Sequence, residues 1–179
     1  MASTRSSVEL VRLGPEETLA RRAELASVWT WVTEGRVDEI LPRHAARDGF
    51  ALVAAVDEGR LVGFAYGYRG APGQWWNDAV AAAMTRRERS RWLAPGHLEL
   101  AELHVARDRR REGIGARLHD ALLAAFPDAP TAVLSTQAAN EPALALYRER
   151  GWDVVVRELR FAPGAEPYSI LGLLLAELR

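Results

Sequence analysis

The chain has 179 residues, 23 basic and 24 acidic side chains for a net charge of −1, and no cysteine, which is the size of one domain with a real core. Near-neutrality argues against a general nucleic-acid binder, whose affinity for phosphate backbones is built from surplus Lys and Arg. The lack of cysteine removes disulfides, thiolate metal sites and a thiol nucleophile together, and because every basic residue is Arg, Schiff-base chemistry on a lysine is excluded as well.

The opening Met1 to Ser7 lacks the apolar core of a signal peptide, and the longest apolar run, Ile170 to Ala176, is far too short to cross a membrane. No membrane partner and a cytoplasmic location are expected. Val8 to Leu13 alternates well enough for a first strand that ends at Gly14-Pro15. A helix follows, because Leu25, Val28, Trp29 and Val32 recur at i, i+3, i+4 and i+7 and give it a face to lay on a sheet, with Gly35 as its stop. Residues 36–48 also read as helical, but Pro42 falls inside the pattern and must start, kink or split the segment.

Phe50 to Val56 and Leu61 to Tyr68 read as two antiparallel strands joined by a turn at Asp57-Glu58-Gly59-Arg60. Gly70 to Gly96 then interrupts the sheet. Trp75, Trp76 and Trp92 bracket a helix expected from about Asp78 to Arg91 with Asn77 as its cap.

Leu98 to Val105 is the next strand. Arg107, Arg109, Arg110 and Arg111 crowd its end, Gly113 and Gly115 turn the chain, and Ile114, Leu118, Ala121, Leu122 and Ala125 continue at helical spacing to Phe126, closed by Pro127. Such a junction is a ready anion site, because the first N–H groups of a helix have no internal partner and its dipole places partial positive charge there. Two familiar phosphate loops are excluded: a dinucleotide fingerprint wants glycine where Leu118 stands, and a nucleoside triphosphate loop needs a lysine. Thr131 to Thr136 follows as a strand. Asn140 to Gly151 is a helix with Asn140 as N-cap, Pro142 in its first turn and Gly151 at its stop. Trp152 to Phe161 and Tyr168 to Leu175 finish the chain as strands.

Arg110-x-x-Gly113-x-Gly115, straight after a strand, resembles the acyl-CoA pyrophosphate loop of the GNAT superfamily of N-acyltransferases. Asn140-x-x-Ala143-x-x-x-Tyr147-x-x-x-Gly151-Trp152 is similar to the second helix motif of that family, with Trp where Phe is usual. The motifs stand in the family's order and, with the Val62-Gly63-Phe64 strand, cover roughly residues 50–156. The resemblance implies a single α+β domain over residues 1–179: a mixed, largely antiparallel sheet of about seven strands, splayed at its centre and flanked by helices. It further implies transfer of an acetyl or other short acyl group from acetyl-CoA to a primary amine, directly in a ternary complex and with no metal implied; acidic Glu102 and the tryptophan-rich insertion favour a cationic, partly apolar amine of a small molecule. The alternatives are a non-catalytic acyl-CoA-binding domain and an acetyltransferase acting on a protein N-terminus or lysine. A homodimer is left open.

Carried over by resemblance, the backbone of Leu103, His104 and Val105 meets the pantetheine arm. Arg110, Arg111, Glu112, Gly113, Ile114, Gly115 and Ala116 cradle the pyrophosphate, Asn140, Ala143 and Tyr147 of the second motif also face the cosubstrate, and Arg109, Arg111 and Arg148 are candidates for the ribose phosphate. Transfer to an amine needs one proton removed from the acceptor and one delivered to the departing thiolate. Strand parity puts Ala101, Leu103 and Val105 on one face and Leu100, Glu102 and His104 on the other. Glu102 is the candidate base, directly or through a water, with His104 the runner-up; Glu99 falls on the opposite face unless a bulge shifts the register. The structural alternative is a charge at a solvated strand end. Tyr147 matches the family position that protonates the thiolate, and a free phenol, with a pKa of about 10, suits that task; otherwise it is a core aromatic. Trp75 and Trp76, behind Gly70-Ala71-Pro72-Gly73, are candidates with Glu102 for holding a cationic amine, or else they plug the sheet's edge.

Overall fold

The computed structural model describes residues 8–29 and 34–175. The expectations for Met1 to Ser7, Val32 and Ala176 lie outside the described residues. Two compact units emerge, one holding the described residues up to Tyr68 together with Ala101–Pro127, the other Arg69–Leu100 together with the described residues from Asp128 onward.

In the first unit the strands run β1 (Glu9–Leu13), β2 (Ala51–Asp57), β3 (Arg60–Arg69) and the second half of β4 (Leu98–Val105). β1 and β2 are antiparallel, as are β2 and β3. The β2–β3 turn has positive φ at both Glu58 (49°) and Gly59 (82°), the left-handed pair whose twist suits a two-residue hairpin. Alternation along β3 sends Phe64, Tyr66 and Tyr68 to one face, all buried. There they meet Leu25 and Val28 of α2 (Arg22–Val28), Trp29 just beyond it, and Val37 and Leu41 of α3 (Glu34–Ala45). Each fully buried side chain of this size contributes about 1.5–3 kcal/mol. A short α1 (Pro15–Ala20) precedes α2 and packs on α3.

On the other face of β3, Gly63 has no side chain for a specific reason. A Cβ there would lie 2.9 Å from the carbonyl oxygen of His104 and 3.0 Å from Cδ1 of Leu118, so the bare backbone lets β3, β4 and α6 (Ile114–Ala124) close on one another. Two expectations need correcting in this unit. Gly35 does not stop the second helix: α2 ends at Val28, where Trp29 turns extended (φ −75°, ψ 99°), and Gly35 lies in the first turn of α3. Pro42 neither starts nor splits its segment but sits inside α3 near its end, where only one i−4 hydrogen bond is forfeited.

In the second unit β4 continues into β5 (Thr131–Gln137), then β7 (Tyr168–Leu174) and β6 (Asp153–Leu159) at the edge. The sheet is antiparallel at β5/β7 and β6/β7 and parallel at β4/β5, where the register covers Leu98↔Ala132 and Glu99↔Val133. With β1 to β3 this makes the seven-stranded, mostly antiparallel α+β sheet expected from the motifs. The helix expected over residues 78–91 is in fact two, α4 (Trp75–Ala83) and α5 (Arg86–Trp92). Met84 and Thr85 turn extended between them, and Thr85 with Glu88 forms a capping box: Glu88 N–H donates to Thr85 Oγ1 at 3.2 Å and Thr85 N–H to Glu88 Oε2 at 2.7 Å. Asn77 is therefore no cap. It is buried within α4, and its Nδ2 lies 3.0 Å from Nε2 of His97, while Gln74 takes the N-cap position. Trp92 lies flat on β7 where Gly172 leaves room, since a Cβ there would come within 2.5 Å of its ring. α7 (Glu141–Glu149) completes the unit. Among the described residues no helix is long and apolar enough to cross a membrane.

Candidate active site

In the first unit, strand parity brings Glu102 and His104 together. Their side chains lie on one face of β4, and Nε2 of His104 is 2.7 Å from Oε2 of Glu102. They are 10% (His104) and 13% (Glu102) exposed, so a carboxylate here needs the partner it has. The imidazole is walled by aromatic rings: Phe64 at 5.3 Å between centroids and Trp29 at 5.7 Å, tilted 43° and 36° to it. Trp29 is itself held edge-on by Phe64 and Tyr66.

β4 ends where the N–H of Ala106 donates to the carbonyl of Val62 at 2.9 Å, and one 3-10 turn over Arg107–Arg109 leads into the glycine loop. Arg111 (φ 69°) and Gly113 (φ 78°) both adopt left-handed backbone, and α6 begins at Ile114 immediately after. A Cβ on Gly113 would meet nothing within 4 Å, so the loop's face there is open. Ile114 and Leu118 anchor the helix in the core, leaving its first N–H groups without intrahelical partners at the loop.

The arginines around this loop divide. Arg109 is corrected as a ribose-phosphate candidate: its guanidinium is 11% exposed and clamped by Asp57 of β2 and by Glu112 at 2.9 Å, so it braces the loop. The same clamp occupies Glu112. Arg110 is exposed and its Nε donates to the carbonyl of Val105 at 3.2 Å, which ties one of the three residues expected to meet the pantetheine arm to the loop. Arg111, exposed, makes no hydrogen bond or ion pair among the described residues.

In the second unit Tyr147 is buried at 6% exposure and meets Trp152 edge-on at 5.5 Å, directly after the helix stop at Gly151 (φ 79°). Asn140 caps α7, its side chain accepting from the N–H of Ala143 at 3.3 Å, so those two motif residues satisfy each other. Arg148 is exposed. Trp75 and Trp76 do not act as a pair, because neighbouring helix positions point about 100° apart. Trp76 turns inward, packs against the core of Val80, Met84 and Val133, and donates from Nε1 to Ser135 Oγ at 2.9 Å. Trp75 stays 66% exposed and continues an aromatic row through Phe161 (5.4 Å) and Tyr168 (5.3 Å beyond).

Sequence reasoning missed the rings that hold His104. Trp29 was legible only as part of a helix face, although the alternation of Phe64, Tyr66 and Tyr68 marked the strand it would meet. It also missed His97, buried with Nδ1 on the carbonyl of Ala94 at 3.0 Å and Nε2 on Asn77; burial holds this imidazole below its usual pKa. Among the described residues no cluster of His, Asp or Glu could hold a metal ion.

The profile of the Acetyltransferase (GNAT) family matches residues 17–152. The chain belongs to this family. A curated GNAT relative, the GCN5-like protein acetyltransferase Rv2170 of Mycobacterium tuberculosis, is 35% identical over 136 residues, 71% of this chain and 66% of that protein. The chain thus spans just under two thirds of that relative's length. Solved GNAT structures share the fold at low identity. The GNAT acetyltransferase from Streptococcus pneumoniae is 14% identical with a TM-score of 0.60, covering 94% of this chain and 99% of its own. The ribosomal-protein-S18-alanine N-acetyltransferase of Escherichia coli is 16% identical with a TM-score of 0.63, covering 94% of each chain. NAA60 of Arabidopsis thaliana, solved with a bisubstrate analogue, is 14% identical with a TM-score of 0.63, covering 94% of this chain and 99% of its own.

Proposed function

We propose that the protein is an N-acetyltransferase that moves an acetyl group from acetyl-CoA directly onto a primary amine of a small molecule, the chain acting as one catalytic domain. The observation that carries this reading is the Glu102–His104 pair, a proton acceptor at 2.7 Å contact on the strand that leads through one 3-10 turn into the glycine loop. The open face at Gly113 and the unpaired amides of α6 suit the pyrophosphate of acetyl-CoA, with Arg110 and Arg111 beside them. Leu103 and Val105 pair with the pantetheine arm, and Tyr147 returns the proton to the thiolate. With no cysteine, no acyl-enzyme on sulfur can form, which favours a ternary complex. Trp75 offers its exposed face to the alkyl part of a cationic amine, and Trp76 is reassigned to the core.

A second reading has its own support. Rv2170 is named a protein acetyltransferase and the E. coli neighbour acts on a ribosomal protein's alanine, so a protein N-terminus or lysine is the rival acceptor. Release of free CoA from acetyl-CoA, assayed over a panel of small amines and of peptides, tests both. Turnover with small amines supports the first reading, turnover with peptides alone the second. No turnover with any acceptor, alongside intact acetyl-CoA binding, overturns both in favour of a non-catalytic acyl-CoA-binding domain.

A further inference from the structure

We infer that His104, through Nδ1, is the base that takes the acceptor's proton, and that Glu102 is the positioning carboxylate that prepares it. This rests on the acetyl-transfer reading and reverses the order of the two candidates drawn from the sequence.

An ionised carboxylate can only accept hydrogen bonds, so the 2.7 Å contact puts the ring proton of His104 on Nε2. The lone pair of the neutral imidazole is then on Nδ1. That atom makes no hydrogen bond among the described residues. The other three histidines differ. Nδ1 of His97 is spent on the carbonyl of Ala94 at 3.0 Å, that of His119 on Asp120 at 2.7 Å, and that of His44 on the Tyr66 hydroxyl at 2.9 Å. Glu102, by contrast, already spends Oε2 of its carboxylate on the ring of His104 at 2.7 Å. Trp29 and Phe64 then fix the ring plane, and a base whose orientation is set before the substrate arrives loses little entropy in the reaction. The division of labour is that of a carboxylate, an imidazole and a reacting group in series, recognised by geometry rather than by sequence position.

The step balances as follows. The neutral amine nitrogen bonds to the thioester carbonyl carbon, and one proton of the resulting N–H passes to Nδ1, giving an imidazolium that Glu102 stabilises. The C–S bond breaks with its electron pair on sulfur, the thiolate takes up one proton, and the imidazolium releases one to solvent, leaving amide, thiol and neutral His104.

Two measurements test this. In wild-type protein labelled with 15N-histidine, NMR should find the His104 ring protonated at Nε2 and bare at Nδ1, assigned by its loss in His104→Gln. Single-turnover rates at saturating acetyl-CoA should fall by about 10²-fold or more in His104→Gln and by clearly less in Glu102→Ala, as expected when an orienting carboxylate costs less than the base itself. Glu102→Ala should also convert the ring signal to a mixture of tautomers, which loss of a merely structural contact would not do. A wild-type ring protonated at Nδ1, or a rate loss in Glu102→Ala as large as in His104→Gln, overturns the assignment. Absence of CoA release by the wild type with every acceptor overturns the acetyl-transfer reading instead, and leaves the tautomer result standing on its own.

Discussion

Substitution at Gly113 separates backbone strain from occlusion of the loop. The residue sits at φ 78° and ψ 3° just before α6, and a Cβ built on it meets nothing within 4 Å. No packing conflict enters, so the cost of Gly113→Ala is that of holding an L-residue left-handed, about 1–2 kcal/mol. In a chain of this size about 1 kcal/mol moves Tm by about 2–4 °C, which predicts a melt about 2–8 °C lower. The effect on ligand is distinct, because the methyl group projects into the open space assigned to the pyrophosphate and should weaken acetyl-CoA by about tenfold or more. Asparagine tolerates the left-handed region yet still carries a side chain. Gly113→Asn should therefore recover most of the lost Tm while affinity stays low. Thermal melts and titration calorimetry on the two variants read these effects independently. Unaltered acetyl-CoA affinity in Gly113→Asn would refute the assignment of the loop.

Further outcomes follow from the same geometry. Tyr147→Phe keeps the ring against Trp152 but removes the donor, so kcat should fall by about 10²-fold with little change in KM for acetyl-CoA; an unchanged single-turnover rate makes the residue part of the core only. Trp75→Ala should raise KM for the amine about tenfold without moving the melt, whereas Trp76→Ala, losing core packing and the Ser135 hydrogen bond, should cost at least about 2 kcal/mol in denaturant unfolding. Equal effects of the two on stability would remove Trp75 from the acceptor site. His44 predicts a pH dependence: burial, with help from Arg47 and Arg43, pushes its imidazole down to about 4. The unfolded chain takes up this proton near pH 6.5 and the native state does not, so the contribution is fully present above about 6.5 and is lost as pH falls toward 4, by up to about 3 kcal/mol. Urea unfolding at pH 7, 5 and 4 should show that slope, and His44→Gln should flatten it.

Much of this is legible in the sequence itself, wherever the cause is local. Glu58-Gly59 marks a two-residue hairpin because both positions must be left-handed, and Asn140, Pro142 and Gly151 mark α7 because capping chemistry acts within one turn. The glycine turn into α6 was legible for the same reason, its cosubstrate role coming only from the family resemblance, and alternation along β4 sufficed to place Glu102 beside His104. The helix expected over residues 78–91 failed even though its correction was written locally, in Thr85 and Glu88; a continuous helical pattern hid a capping box that stops one helix and starts another. Tertiary structure alone decided the rest. Asp57, 52 residues from Arg109, turned a phosphate candidate into a brace, and Ser135 drew Trp76 into the core while Trp75 stayed outside. Trp29 and Phe64 met the imidazole of His104 from distant segments. Periodicity tells which face of an element is buried, but the tautomer of a histidine or the duty of an arginine is set by the one group that comes within about 3 Å of it, and that group is chosen by the folding of the whole chain.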